Sequence, residues 1–245
     1  MNPLLLAGIT GLAFLGGFIG SMMSGGSLVV FFILTLLGLP VKTAVGTLKM
    51  VIAGLTLVSS LEYLRAGVLE VRFASALIAS ACTGALIGSS VLLTVPDKVA
   101  GLIVAVFLLM GSYFTLRGKG TEKPVLSGLL SQITVGFALG FYIAILGEAS
   151  TLVTITALGL FFRLDILRAN ATAKLLIFFT NLIAFTGYAR GGSVEFTLGL
   201  LLLVPVALGS WLGARTAVRI GGRALKAIFL SLVIATFIGL LGTLP

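Results

Sequence analysis

The 245-residue chain is 59% hydrophobic and only 9% charged, with a mean hydropathy of +1.25. Soluble domains carry about 25% charged residues, so a soluble domain is excluded, and the long unbroken apolar runs exclude a porin-like barrel, whose strands alternate in polarity. The net charge of +9 fits the basic cytoplasmic loops of a polytopic protein rather than a nucleic-acid partner. With no histidine and a single cysteine, Cys82, one chain builds neither a disulfide nor a His/Cys metal cage.

Apolar runs between charged or Gly/Pro breaks predict an all-α polytopic membrane protein of about ten transmembrane segments. They cover 4–22, 28–39, 43–63, 73–93, 99–116, 125–145, 150–162, 169–188, 196–215 and 224–244. The first lacks the basic flank of a cleaved signal peptide and is read as a span. The second starts right after Gly25-Gly26-Ser27 and stops before Pro40. A helix of that length rises about 18 Å, against a hydrocarbon core of about 30 Å. The seventh, after Gly147-Glu148-Ala149, is similarly short, and the other eight are full length.

Basic residues indicate which segments cross. If all ten cross, Arg65, Arg72, Arg117, Lys119, Lys123, Arg163, Arg168, Arg215, Arg219, Arg223 and Lys226 share one side, and Lys42, Lys98 and Arg190 the other. If the two short segments re-enter instead, the same fourteen residues divide eight against six. The positive-inside rule favours ten crossings, with both termini periplasmic and the Arg117 to Lys123 loop cytoplasmic.

Three motif pairs recur at one offset of 125 residues: AVGTLK at 44–49 with ANATAK at 169–174, YLRAG at 63–67 with YARGG at 188–192, and GALIG at 84–88 with GSWLG at 209–213. Upstream the register shifts by four, aligning LGL at 37–39 with LGL at 158–160. A fixed offset over three motifs indicates a duplicated five-segment unit. Five crossings invert the second unit relative to the first, so the expected organisation is a membrane repeat at 1–117, a cytoplasmic linker at 118–124 and an inverted repeat at 125–245. In transporters built this way, paired short segments point to the binding site.

Pro40 and Lys42 anchor the C-terminal end of the first short helix, which submerges its N-terminus and the Gly25, Gly26 and Ser27 backbone. A helix N-terminus presents unpaired N–H groups and a positive dipole end, and glycine lets an anion approach. Ser150 and Thr151 start the second short helix. Small residues at these starts also suit close helix packing, as do Gly84, Gly88, Gly209 and Gly213. Lys49 and Lys174 lie at matching positions inside apolar helices; they either face a shared anion site or snorkel to the interface. Thr47 and Thr172 are expected to bond neighbouring backbone, Asn170 and Asn181 suit either task, and Glu62, Tyr63, Arg65, Tyr188 and Arg190 read as interfacial anchors. Glu148, the only acid in its break, either offsets a lysine or carries a coupling proton.

The stretch from Gly16 to Thr47, with its glycine-rich loop, short segment and Ala-x-Gly-Thr, resembles the first motif of the TauE/SafE membrane permeases. Tyr63, Gly67, Gly84 and Gly88 fit the same pattern, whereas SMMSGG replaces a longer glycine run and ANAT a second Ala-x-Gly-Thr. The resemblance implies a bacterial inner-membrane transporter of sulfur-containing anions such as sulfite or organosulfonates, working as a secondary exporter. An amino-acid or other organic-anion exporter, an anion channel and a membrane assembly subunit remain alternatives. The expected partners are a small anionic substrate and membrane lipids, with homo-oligomerisation left open. No cofactor, metal or nucleic acid is called for, and the lack of histidine and of an acid-base pair within the spans points away from an enzyme.

Overall fold

A computed structural model describes residues 3–69, 71–96, 99, 128–146 and 150–241, with backbone alone at 71–73, 146 and 229–241. These residues form eight helices and no strand: α1 (Pro3–Met22), α2 (Gly26–Leu36), α3 (Val41–Arg65), α4 (Val71–Thr94), α5 (Leu129–Leu146), α6 (Ser150–Phe162), α7 (Ile166–Arg190) and α8 (Phe196–Leu241). Within α8, Gly221 takes a φ of 75° and a ψ of 174° and divides it into two helices, between predicted segments nine and ten. Five stretches, Pro3–Met22, Val41–Arg65, Ala74–Thr94, Ile166–Arg190 and Phe196–Ile228, are long and apolar enough to cross a membrane. The protein is therefore all-helical and multi-pass. The predicted segment at 99–116 and the linker at 118–124 lie outside the described residues.

The two short helices form as expected, with adjusted ends. α2 runs from Gly26 to Leu36, because Gly38, at a φ of 83°, turns the chain before Pro40. α6 spans Ser150–Phe162 and ends at Arg163, whose φ of 57° makes it the single non-glycine residue with positive φ among those described. Gly38 and Arg163 thus fill the same left-handed stop 125 residues apart, which supports that offset through the short helices over the Leu-Gly-Leu match. A non-glycine residue pays about 1 kcal/mol in this conformation. Arg163→Gly is accordingly expected to raise unfolding stability by up to about 1 kcal/mol, measured as a higher melting temperature in detergent. The following helix, α7, is capped by Asp165, whose carboxylate accepts from the backbone N–H groups of Leu167 and Arg168 at 3.1 Å each.

Burial is inverted relative to a soluble protein. Leu4, Leu130 and Val204 lie mostly exposed, while Lys49, Lys174, Thr47, Thr154, Asn170 and Asn181 are wholly buried. Lipid chains solvate leucine as well as a protein core does, so the helices associate through close packing and internal polar contacts. Close packing rests on glycine. A Cβ on Gly84 or Gly88 would overlap the Phe137 or Phe141 backbone of α5, and one on Gly209 or Gly213 the Phe14 or Phe18 backbone of α1. Gly17 meets the Val206 carbonyl and Gly140 that of Ala81 in the same manner. These four motif glycines therefore serve packing.

The pairings carry a regularity. α1 packs on α8 and α4 on α5; α3 packs on α7; α3 also packs on α8, and α4 on α7. Exchanging α1 with α5, α3 with α7, and α4 with α8 returns the same set.

Candidate functional site at two helix breaks

The chain interrupts its helix between α1 and α2, which leaves the last carbonyls of α1 without intrahelical donors. Inside a membrane no bulk water satisfies them, and irregular backbone persists only where protein supplies partners. Side chains of α3 and α7 do so in sequence. Lys174 Nζ donates to the carbonyl of Gly20 and, at 3.0 Å, to that of Met23. The Tyr63 hydroxyl donates to Ser21 O at 2.8 Å. Asn170 Nδ2 donates to Met22 O at 2.7 Å and to the Tyr63 hydroxyl at 2.9 Å. Four successive carbonyls are covered, and an ammonium sits at the negative pole of the α1 dipole.

The end of α5 is treated in the same way. Lys49 Nζ donates to the Ile143 carbonyl and the Tyr188 hydroxyl to Ala144 O at 3.4 Å. Lys49 and Lys174 each stand eight residues from the start of α3 and α7, about 12 Å along the axis. Both are fully buried, so neither snorkels. Tyr63 and Tyr188 are likewise fully buried, which corrects their reading as interfacial anchors. Their place near a helix end in the sequence hid the fact that α1 and α5 pack across them. The signal that could have found them is their 125-residue spacing, the same as that of the lysines.

On the other side of the break, Gly25 precedes α2 with a φ of 98°, and no side chain caps the helix. The first intrahelical bond runs from Val29 N to Gly25 O, so the Gly26, Ser27 and Leu28 N–H groups lack helical acceptors. Gly26 must also lack a side chain, since a Cβ there would overlap the Gly16 carbonyl and crowd Gly20. Both roles weighed for this glycine, close packing and open backbone, are thus present at one residue.

The starts of α2 and α6 meet. Gly25, Gly26, Ser27, Ser150, Thr151 and Lys174 line one small pocket, with Gly20, Ile52, Leu55 and Thr56 completing its wall. Its cavity volume is about 10 Å³, room for roughly one water. Lys174 Nζ reaches Thr151 Oγ1 at 3.4 Å, its longest contact of the three. An ammonium has three protons, and all three are engaged. Lys49 is not among the residues lining this pocket; it holds the end of α5 instead. Glu148 lies outside the described residues. Thr47, expected to bond neighbouring backbone, accepts from the Glu195 N–H at 2.8 Å and braces the turn before α8, and Asn181 bonds within its own helix, to Ile177 O at 2.8 Å.

Two broken helices with an ammonium between their positive ends, set in a bundle with lipid-facing leucines, define a polytopic membrane protein with an internal polar centre. The chain matches the family described as Sulfite exporter TauE/SafE over residues 9–240, and it belongs to that family. Curated relatives agree in kind. It is 28% identical to a "Probable membrane transporter protein" of Haemophilus influenzae, covering 89% of this chain and 87% of that one. It is 27% identical to "Probable membrane transporter protein ORF9" of a Sinorhizobium species, covering 97% and 92%. It is 26% identical to "Probable membrane transporter protein YfcA" of Escherichia coli K12, covering 92% and 86%. No solved structure matches the chain. The family is one of membrane transporters, not enzymes.

Proposed function

We propose that this protein is a secondary transporter that carries a small sulfur-containing oxyanion, sulfite or an organosulfonate, outward across the bacterial inner membrane by alternating access. The observation that carries the reading is the pocket where the N-termini of α2 and α6 converge beside Lys174. Two positive helix ends and one ammonium suit an oxyanion better than a cation or a neutral solute. The substrate's sulfur is supported by the family description.

In this reading the pocket, with room for about one water in this state, widens as the α2 and α6 starts move apart. The anion then bonds the N–H groups at Gly25, Gly26 and Ser27 and the polar groups of Ser150 and Thr151. It takes the Thr151 share of the Lys174 ammonium, the weakest of that lysine's bonds. Lys49 acts from the facing helix break, and Glu148 offsets lysine charge or carries a coupling proton. Ten crossings in two inverted repeats, with both termini periplasmic, supply the moving parts. Three things support that organisation: the eleven-to-three charge division, the exchange regularity of the pairings, and the parallel Lys49–Ile143 and Lys174–Gly20 contacts.

Counterflow in proteoliposomes tests the proposal. Trapped unlabelled sulfite is expected to drive uptake of labelled sulfite, with sulfoacetate or thiosulfate competing better than matched carboxylates. Exchange of carboxylates or amino acids with no competition by sulfur anions would overturn the substrate class. Sulfite flux without counterflow would indicate a channel.

A further inference from the structure

A second, larger cleft opens where α3 ends against α8. It has a volume of about 430 Å³ and is lined by Glu62, Arg65, Ala66, Arg215, Val218 and Arg219. At its base the buried Glu62 carboxylate holds two guanidinium groups, Arg65 Nη1 at 2.7 Å on one oxygen and Arg215 Nε at 2.9 Å on the other. Each arginine spends only part of its five donors there. Arg219 is exposed and makes no ion pair among the described residues. Three positive charges against one negative leave the cleft at a net +2 before anything enters.

Its depth is marked independently. Trp211 lies partly exposed on α8, and the Arg215 Cζ stacks 4.1 Å above its ring; tryptophan at a helix surface belongs to the headgroup level. Arg215 follows Phe196 by 19 residues, about 29 Å along the helix, which is one hydrocarbon thickness from the start of α8. The repeated fold does not demand three of these four charges. Positions 125 residues from Glu62, Arg215 and Arg219 hold Gly187, Ser90 and Thr94, and only Arg65 is matched by a charge, Arg190.

We propose that this cleft is a binding site for a phosphate group, held in forked hydrogen bonds by Arg65, Arg215 and Arg219 while Glu62 keeps the first two oriented. Guanidinium pairs match phosphate oxygens bidentately, and basic pockets between helices at this level take anionic headgroups. The phosphate comes either from an anionic phospholipid or from free phosphate in the adjoining water.

Purified protein in phosphatidylcholine nanodiscs is titrated with phosphatidylglycerol in one arm and with inorganic phosphate in the other, with bound ligand counted by native mass spectrometry. R219Q is expected to weaken binding at least tenfold. R65Q is expected to weaken it similarly, since Arg215 still holds Glu62. R223Q, which removes a nearby exposed charge outside the cleft, is expected to change it less than twofold. Retention of phosphatidylglycerol alone assigns the site to lipid, and Arg219-dependent retention of inorganic phosphate assigns it to a soluble anion. Equal losses in R219Q and R223Q, or no saturable binding in either arm, would overturn the proposal. R219Q leaves the Glu62 ion pairs in place, so it remains a fair test if R65Q fails to fold.

Discussion

Lys174→Met is expected to lose anion binding by more than tenfold and to lower stability by about 2 kcal/mol. Methionine matches the length of the stem but donates nothing, so the Gly20 and Met23 carbonyls lose the ammonium that covers them. An uncovered buried acceptor costs about 1–3 kcal/mol. Removing a desolvated charge returns part of that, and the net loss falls near the lower end of the sum. Lys49→Met removes the matching bond to Ile143 and is expected to destabilise comparably. Its effect on binding should be smaller, because Thr151 and the α2 start stay beside Lys174. Binding isotherms and melting curves on both variants check this. If Lys174→Met folds and binds sulfite like the parent, the site is misplaced. If Lys49→Met alone abolishes binding in a folded protein, the site lies at the α5 end.

Gly17→Ala should be among the most damaging single substitutions, although it adds one methyl group. The new Cβ would fall on the Val206 carbonyl, and a backbone atom in a packed helix cannot turn aside as a side chain can. Overpacking costs about 1–3 kcal/mol and occasionally more, and here the contact joins α1 to α8 along one of the most extensive helix pairings in the bundle. About 3 kcal/mol is expected, read as a fall in melting temperature and in folded yield. Gly11→Ala on the same helix meets nothing within 4 Å. It should be neutral or stabilising by about 0.5–1 kcal/mol, since alanine is the better helix former. Equal outcomes for the two variants would mean that α1 does not pack on α8 as described.

Hydropathy and punctuation alone determined that this chain is a helical membrane protein, where most of its helices run, and that two of them are short. Those properties are local: an apolar run of given length needs no partner to be recognised, and glycine or proline stops a helix by its own backbone preference. The positions of Lys49 and Lys174 were legible too, because a charge inside an apolar helix stands out and recurred 125 residues later. Their tasks were not. Lys49 meets the Ile143 carbonyl 94 residues along the chain and Lys174 the Gly20 carbonyl 154 residues back, and no local pattern records which carbonyl a distant helix will expose. For the same reason Tyr63 and Asn170 could be noticed in the sequence but not paired with the Ser21 and Met22 carbonyls they cover. Only the packing of α3 on α7, and of α1 and α5 against that pair, brought donors to the orphaned ends of the broken helices. That packing also left the α2 and α6 starts facing Lys174.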